Sequence, residues 1–431
     1  MFDQQGLSLD QAPPVSVVFG LFLTGAVFGI LSGLFVLYYG ESIFDPASTA
    51  AIMLTHVLAL GVMMSFMLGA LFQMLPVIAG IVLQNPISKS NLAKVLLIFG
   101  TLFLIAGFAT HAVFLFLFAS VLLGTSLLYV AFTMGSKLMR LKHHSASSRG
   151  MLYAILSLVT LVLLALYMTT AYAQMHSGAY FAAIKQIHYT FALFGWVALL
   201  IVSISFQTIE MFYVTPPYPH ILSRYMPLGI FILLIVFAIG SFLGVVPLVS
   251  ITQLLLYLLL VLYAAITLRR LSQRKRPLTD ATIWFWRIGM SSLIVSMLLL
   301  FLHFFISKTV LFDLAVVLFV SFALSVLFAM FYKIVPFLTW FHLNAQGYFT
   351  APMMHEVIHP KTAKKHMWIH LAMIVSLLTS VWFSLFLYPS GILMLLSFGW
   401  IAYQILHAGK LYRHTQETGE KFEMNMEMPP H

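Results

Sequence analysis

The chain has 431 residues, of which 61% are hydrophobic and only 8% are charged. A water-soluble domain carries about 25% charged residues because its surface must be solvated, so most of this surface is expected to contact lipid. The net charge of +10 fits basic loops beside anionic lipid, and nucleic acid is excluded as a partner because a basic patch needs a soluble face. The absence of cysteine excludes disulfides, thiolate catalysis, iron–sulfur clusters and cysteine zinc sites.

Long apolar stretches follow one another along the whole chain. About 20 apolar residues cross the hydrocarbon as a helix, and these runs are too long and continuous for barrel strands. We therefore predict an all-α integral membrane protein, with one membrane domain over residues 1–431 and a polar tail at 412–431. The twelve predicted spans are 15–39, 50–83, 93–109, 112–136, 150–173, 186–214, 226–243, 247–268, 282–306, 311–337, 367–388 and 391–411.

Positive charge predicts the orientation of these spans, since Lys and Arg concentrate in cytoplasmic loops. With both termini in the cytoplasm, the opposite side holds only Lys185 and Lys308. The N-terminus is acidic and polar, unlike a signal peptide, and we expect a multi-pass protein of the bacterial cytoplasmic membrane. The predicted inner loops and tail contain Lys89, Lys137, Arg140, Lys142, Arg149, Arg224, the run from Arg269 to Arg276, Lys361, Lys364, Lys365, Lys410, Arg413 and Lys421.

Three similar segments predict an internal repeat with a period of about 130 residues. They read LFQMLPVIAG (71–80), SFQTIEMFYV (205–214) and MFYKIVPFLTW (330–340). Each ends a span that runs from outside to inside, so each belongs to a four-helix unit. The predicted units cover residues 15–136, 150–268 and 282–411, with spans two, six and ten at the centre.

Three histidines from distant segments fall at similar depth near the predicted outer face. His56 and His188 lie on spans two and six, and His303 lies on span nine. Polar side chains inside a membrane usually face the bundle interior, and imidazole binds haem iron and copper. These three are the predicted cofactor or metal ligands; the alternative is that each bonds a neighbouring helix. His111 and His176, in or beside outer loops, are weaker candidates.

The twelve-span topology, the three-unit repeat and the outer-end histidines of spans two and six resemble the main subunit of the haem–copper oxidase superfamily. In that family the span-two histidine holds a low-spin haem and the span-six histidine binds copper, which implies these roles for His56 and His188. The segment THVLALGVMMSFMLGALFQMLPVIAG (55–80) is also similar to the smaller NnrS-like membrane proteins, which are linked to nitric oxide stress.

The sequence departs from the oxidase pattern at the copper site. An oxidase carries paired histidines on span seven and His-x-His at the outer end of span ten, but 222–240 has no histidine and 309–319 offers only Asp313. We therefore expect a haem-binding protein that is not a complete terminal oxidase. Copper is a secondary expectation at the same histidines.

The expected activity is electron transfer, gas sensing or nitric oxide protection, with a redox partner; an enzyme of this kind would be a haem-dependent oxidoreductase. Two other classes stay open. Twelve spans with internal repeats also describe secondary transporters, and a cofactor-free scaffold or assembly partner of a respiratory complex would use the histidines structurally.

A polar cluster is predicted at the inner ends of the central spans. It comprises Gln73, Gln207, Glu210 and Lys333, and a Glu210–Lys333 ion pair would leave neither charge alone near lipid. Its alternative role is a conduit for protons or a transported solute.

Two further patterns have weak predictive value. His355 to His359 reads HExxH, which binds zinc only where one helix presents both histidines, and Pro360 directly after it favours a helix end. The tail residues Met424, Met426 and Met428 suit Cu(I), but such methionines are common in polar tails.

Overall fold

The protein is a bundle of long antiparallel helices, seen here in a computed structural model that describes residues 12–174, 178–275 and 280–421. Within those residues, eleven helical segments are long and apolar enough to cross a membrane. Their helices are α1 (Val15–Tyr39), α2 (Thr49–Ala79), α3 (Pro86–Thr110), α4 (Val113–Met139), α5 (Ala146–Ala173), α6 (Phe181–Tyr213), α7 (His220–Leu243), α8 (Val246–Ser272), α9 (Ala281–Ile306), α10 (Thr309–Ala345) and α12 (Leu387–Thr418).

Another helix, α11 (Pro360–Ser380), lies between α10 and α12 in the chain. It is 21 residues long, but its lysines and histidines lower its mean hydropathy, and it is not among the eleven. The predicted class, an all-α integral membrane protein, is therefore confirmed. The predicted count of twelve spans depends on whether α11 also crosses the membrane.

Local sequence signals explain where several helices begin. The Ser48 hydroxyl accepts a hydrogen bond from Ala51 N at the start of α2, and the Ser145 hydroxyl accepts one from Ser148 N at the start of α5. Such N-caps satisfy backbone donors that the first turn leaves free. Pro86 and Pro360 occupy the first turn of α3 and α11, where their missing N–H is harmless.

The helices extend beyond several predicted spans. Polar residues at the start of α3 are helical from Pro86, seven residues before the predicted span, because helices continue past the hydrocarbon. Helix α10 continues through Pro336 to Ala345, and α12 begins at Leu387 so that Pro389 falls in its first turn. The predicted break at Pro389 is thus displaced to the short 3-10 turn Ser384–Phe386.

Neighbouring helices in the chain pack against one another, and α1 packs against α12, which closes the bundle. Helices α6 and α10 are the most enclosed, with 78% of their apolar stretch buried inside the protein. Helix α2 contacts both α5 and α10. The burial of α6 and α10 agrees with their predicted central position, but α2, the third predicted central span, is 56% buried, less than the 67% of α1. The three-unit repeat stays a prediction.

Loop contacts define two opposite faces of the bundle. Backbone N–H of Lys275 donates to the Val214 carbonyl at 3.1 Å, and Tyr348 pairs with Lys421 in an isolated β-bridge. The helix ends and loops on the same side as these contacts carry most of the Lys and Arg residues, and we call this side the basic face. The loops at 45–48, 111–112, 244–245, 307–308 and 381–386 lie at the other helix ends, on the opposite face.

Candidate functional site

His56 lies near the opposite face, on α2, and its ring is oriented by its own helix. Its Nδ1 is 2.7 Å from the carbonyl oxygen of Ile52. Because a carbonyl can only accept, Nδ1 donates its proton and Nε2 keeps its lone pair. Histidines that bind metals are usually held in this way, with one ring nitrogen donating to a carbonyl. His56 therefore has the tautomer that a ligand to iron requires.

A π-helical segment begins directly after His56. Residues Val57–Met64 form it in α2, and Phe191–Ala198 form a second one in α6, a few residues after His188. The two segments lie at the same distance along the chain from Gln73 and Gln207 respectively. A π turn contains one extra residue and is frequent at functional sites. The extra residue rotates the outer end of each helix relative to its inner end.

Each π segment contains a glycine at the matching position. A Cβ atom at Gly61 would collide with the ring of Phe28 on α1, and one at Gly195 would lie 2.8 Å from Cβ of Ser157 on α5. The widened turns are therefore packed tightly against neighbouring helices. This packing fixes the direction in which the histidine end of each helix projects.

His188 is brought to the same region as His56. The two imidazoles lie close enough to interact electrostatically, and the His188 ring also interacts with the carbonyl of Leu161 on α5. The Nδ1 atom of His188 is buried and has no hydrogen-bond partner among the described residues. A buried polar atom without a partner is rare in proteins, and it marks a place where a ligand or water binds. His56 and His188 thus lie within electrostatic range of each other, and their shared role as ligands stays a prediction.

An aromatic cluster surrounds the His56 side of this pair and joins four helices. The ring centroids of His56 and Phe108 are 5.8 Å apart, and Tyr172 lies 5.2 Å from Phe108. Tyr172 also contacts Phe116 at 5.9 Å and Phe181, at the start of α6, at 5.7 Å. The cluster therefore links the histidine end of α2 to the histidine end of α6 through flat apolar surfaces.

His303 lies apart from this pair in its contacts. Its Nδ1 bonds the Lys308 carbonyl at 2.9 Å, its ring contacts Phe312 at 5.6 Å, and it interacts with Asp313. These partners all belong to the hairpin between α9 and α10, and α9 packs against α8, α10 and α11. The structure gives His303 a local partner at the end of its own helix.

The other two outer histidines of the sequence analysis contribute less. His111 ends α3 in the left-handed conformation, with φ of 56°, and is exposed. His176 lies outside the described residues, as do Met424, Met426 and Met428 of the tail.

The predicted Glu210–Lys333 ion pair is wrong. Lys333 Nζ lies 2.6 Å from Oδ2 of Asp280, and Glu210 instead accepts a hydrogen bond from Tyr218 N at 2.8 Å. Asp280 stands in the loop before α9 and also accepts from Thr282 N as the N-cap. Burial alone would raise the pKa of Asp280, but the charge and hydrogen bond of Lys333 outweigh it and lower that pKa. The sequence-based prediction paired only charges on the central spans, so Asp280, which lies in a loop, was not considered.

The remaining members of the inner cluster are glutamines. Both side-chain polar atoms of Gln73 are buried without a hydrogen-bond partner among the described residues, and Gln207 is partly buried. The cluster is thus split between an ion pair at Lys333, a loop contact at Glu210 and an unsatisfied amide at Gln73.

The HExxH pattern does not form a zinc-binding helix. A single helical turn covers Met354–Val357, Ile358 is extended, and His359 is the N-cap of α11, where its Nδ1 accepts from Lys361 N at 3.1 Å. His355 and His359 therefore do not share a helix face. The helical turn ends before Pro360, as the sequence predicts.

A second pair of histidines, His366 and His370 on α11, was missed by the sequence analysis. Both are fully buried. His366 Nε2 bonds Ser397 Oγ on α12 at 2.8 Å, and His370 Nε2 bonds Ser325 Oγ on α10 at 2.8 Å. Their spacing of four residues places them on one helix face, and this spacing was the available signal. It was hidden by the lysines around His366, which made the segment resemble a solvated loop.

Among the described residues, no group of three or more His, Cys, Asp or Glu side chains is arranged to hold a metal ion. The protein matches no protein-family model and no curated protein. The proposed function therefore rests on the residues of this chain and their contacts.

Proposed function

We propose that the protein is a haem-binding membrane protein in which His56 is an axial ligand of the iron. The observation that carries this proposal is the placement of His56 and His188 within electrostatic range, each just before a π segment, with Nδ1 of His56 donating to the Ile52 carbonyl. That donation leaves Nε2 as the atom that binds iron. His188 is the second imidazole available to the iron or to a gas bound on it.

The donor set fits haem better than a bare metal ion. Zinc and copper take three or four protein ligands, whereas a haem supplies four nitrogens and needs only one or two imidazoles from the protein. The residues around His56 offer two histidines and an apolar aromatic cluster, which is the surface that a porphyrin contacts. A copper ion at His188 would need donors beyond the two imidazoles.

When bound, haem would supply reversible one-electron chemistry and a site for a small gas. The part played by this chain is to orient His56, to place His188 beside it and to exclude water with Phe108, Phe116 and Tyr172. These features suit electron transfer, gas sensing or nitric oxide protection. Complete oxygen reduction is not part of the proposal, since span seven lacks the copper-binding histidines of an oxidase.

The proposal includes the placement of the chain in a bacterial cytoplasmic membrane. Helix α11 is the twelfth span: its 21 residues are long enough to cross, and its polar groups pair with α10 and α12. An even number of spans puts both termini on one side. The basic face is then cytoplasmic, in agreement with the positive-inside rule.

The visible absorption spectrum of the protein, purified from haem-replete cells, tests the cofactor. We expect a Soret band in the wild type and its loss in His56→Ala. His303→Ala is the matched control, because His303 is also a helix-end histidine but bonds its own hairpin, and this variant should keep the band. A colourless wild-type protein, or a His56→Ala variant with an unchanged spectrum, would refute the proposal in favour of a transporter or a scaffold.

A further inference from the structure

Buried hydroxyl and imidazole groups follow one another between α9, α10, α11 and α12. Ser292 Oγ on α9 is 2.9 Å from Ser321 Oγ on α10, and Ser296 Oγ donates to the Ala315 carbonyl at 2.7 Å. One turn further along α10, Ser325 bonds His370. We call this set, together with His366 and Ser397, the polar ladder.

Successive members of the polar ladder are either hydrogen-bonded to each other or lie one helical turn apart on the same helix. Ser296 and Ser292 are one turn apart on α9, Ser321 and Ser325 are one turn apart on α10, and the two histidines are one turn apart on α11. Residues four apart on a helix are neighbours on one face. From Ala315 to Tyr332, α10 rises about 26 Å at 1.5 Å per residue, close to the ~30 Å thickness of the hydrocarbon.

These hydroxyls differ in where their bonds go from the many hydroxyls of the bundle that bond only their own helix. Thr24, Ser157 and Thr252 each donate to the carbonyl one turn earlier in their own helix, the usual way to satisfy a hydroxyl in a membrane helix. The ladder hydroxyls of Ser292, Ser296 and Ser325 bond a different helix instead. Their bonds therefore form a route across the bundle.

The histidines add atoms that are not satisfied by the protein. His366 and His370 are fully buried, and the Nδ1 atom of each has no hydrogen-bond partner among the described residues. The buried Tyr332 side chain lies beside the His366 ring at a centroid distance of 5.7 Å, and its hydroxyl adjoins the indole of Trp400. Buried polar atoms of this kind are the places where internal water binds.

Titratable groups stand at both ends of the polar ladder. Towards the basic face, Tyr332 adjoins Lys333, which is paired with Asp280. Towards the opposite face, Asp313 lies two residues from Ala315 and interacts with His303. In between, both imidazoles pack on Phe328, with centroids 4.8 and 5.1 Å away, so apolar rings enclose the middle of the route.

We propose that the polar ladder conducts protons across the membrane, independently of any haem. A proton that binds Nδ1 of a histidine whose Nε2 carries a proton makes an imidazolium, and the Nε2 proton then passes to the bonded serine hydroxyl, which passes its own proton onward. Rotation of the neutral ring restores the proton on Nε2 for the next passage. One proton enters and one leaves, so the charge of the protein is unchanged after each passage. Water at the Nδ1 atoms joins His366 to His370.

Proton uptake into vesicles tests this activity directly. The protein is reconstituted in liposomes that contain a pH-sensitive dye, and a potassium diffusion potential set by valinomycin drives protons inward. We expect entry several-fold faster than in protein-free liposomes, and a fall to the protein-free rate in His370→Phe and in Ser325→Ala.

Two controls make the result decisive. Ser126→Ala removes a buried interhelical hydroxyl outside the polar ladder, which donates to the Ala93 carbonyl at 2.8 Å, and should conduct like the wild type. Ser325→Ala removes a single oxygen atom, so it tests the route even where His370→Phe does not fold. Wild-type vesicles no faster than protein-free ones, or a Ser325→Ala variant as fast as the wild type, would overturn the proposal.

Discussion

Lys333 lies near the basic face on one of the two most enclosed helices, and its position depends on one acidic partner. Its side chain is 21% exposed and that of Asp280 is 41% exposed, with 2.6 Å between Nζ and Oδ2. The ammonium also lies 5.2 Å from the centre of the Tyr213 ring, whose hydroxyl donates to Thr282. These contacts tie the end of α10 to the ends of α6 and α9.

Removing the carboxylate is expected to destabilise the protein by leaving Lys333 unpaired. Because Asp280 is partly exposed, we expect Asp280→Asn to cost about 1 kcal/mol, the upper end for a solvent-screened pair. Asn keeps the N-cap at α9, which isolates the loss of charge. The double variant Asp280→Asn/Lys333→Met should recover most of the stability, measured by thermal unfolding in detergent. Equal stability of Asp280→Asn and the wild type would contradict this.

The same pair predicts a pH dependence. The pKa of Asp280 is lowered in the folded protein, so its contribution is present above the carboxyl pKa of the unfolded chain, ~3.9. It is lost as the pH falls through the depressed folded value. The stability difference between the wild type and Asp280→Asn should therefore be constant near neutral pH and shrink below about pH 4. A difference that grows on acidification would be inconsistent with the pairing.

At the scale of helices, the π segments of α2 and α6 are the features that set the direction of the candidate ligands. One residue advances an α-helix by about 100°, so the extra residue of a π turn decides which way His56 points relative to the inner half of α2. No periodicity in the apolar sequence 57–64 distinguishes a π turn from an α turn, since every position is hydrophobic or glycine.

Deleting Leu60 should therefore abolish haem binding without removing the histidine. The deletion converts the π segment to regular helix and rotates His56 by about 100° relative to Gln73. Leu60→Ala keeps the chain length and is the matched control. We expect the Soret absorbance per protein to fall in the deletion variant and to persist in Leu60→Ala. Equal absorbance in both would show that the π segment does not position the ligand.

The helices themselves could be predicted from the sequence because long apolar runs admit few alternatives in a membrane. The sequence placed His56 and His188 at one depth near the same face, and their joint role as ligands stays a prediction. The partner of Lys333 could not be predicted, because Asp280 lies 53 residues away in a loop and only the packing brings it near. His366 and His370 were missed because the serines that bond them belong to other helices, α10 and α12, and only the packing brings these together.

For the whole molecule, the decisive question is which loops face which side. The alternation of the helices places most of the basic residues at one end of the bundle, and the packing of α1 on α12 closes the bundle into one unit. Helix α11 is the element on which the even number of spans depends, since its buried histidines reduce its hydropathy.

Labelling of introduced cysteines tests the orientation and the twelfth span together. The chain has no cysteine, so a single substitution is the only target for a membrane-impermeant maleimide applied to spheroplasts. We expect labelling of Lys308→Cys and Ser384→Cys, and protection of Lys142→Cys until the membrane is permeabilised. Ser384 follows α11, so its protection alongside labelled Lys308→Cys would mean that α11 does not cross. Labelling of Lys142→Cys in intact spheroplasts would reverse the proposed orientation, because the basic face would then lie outside.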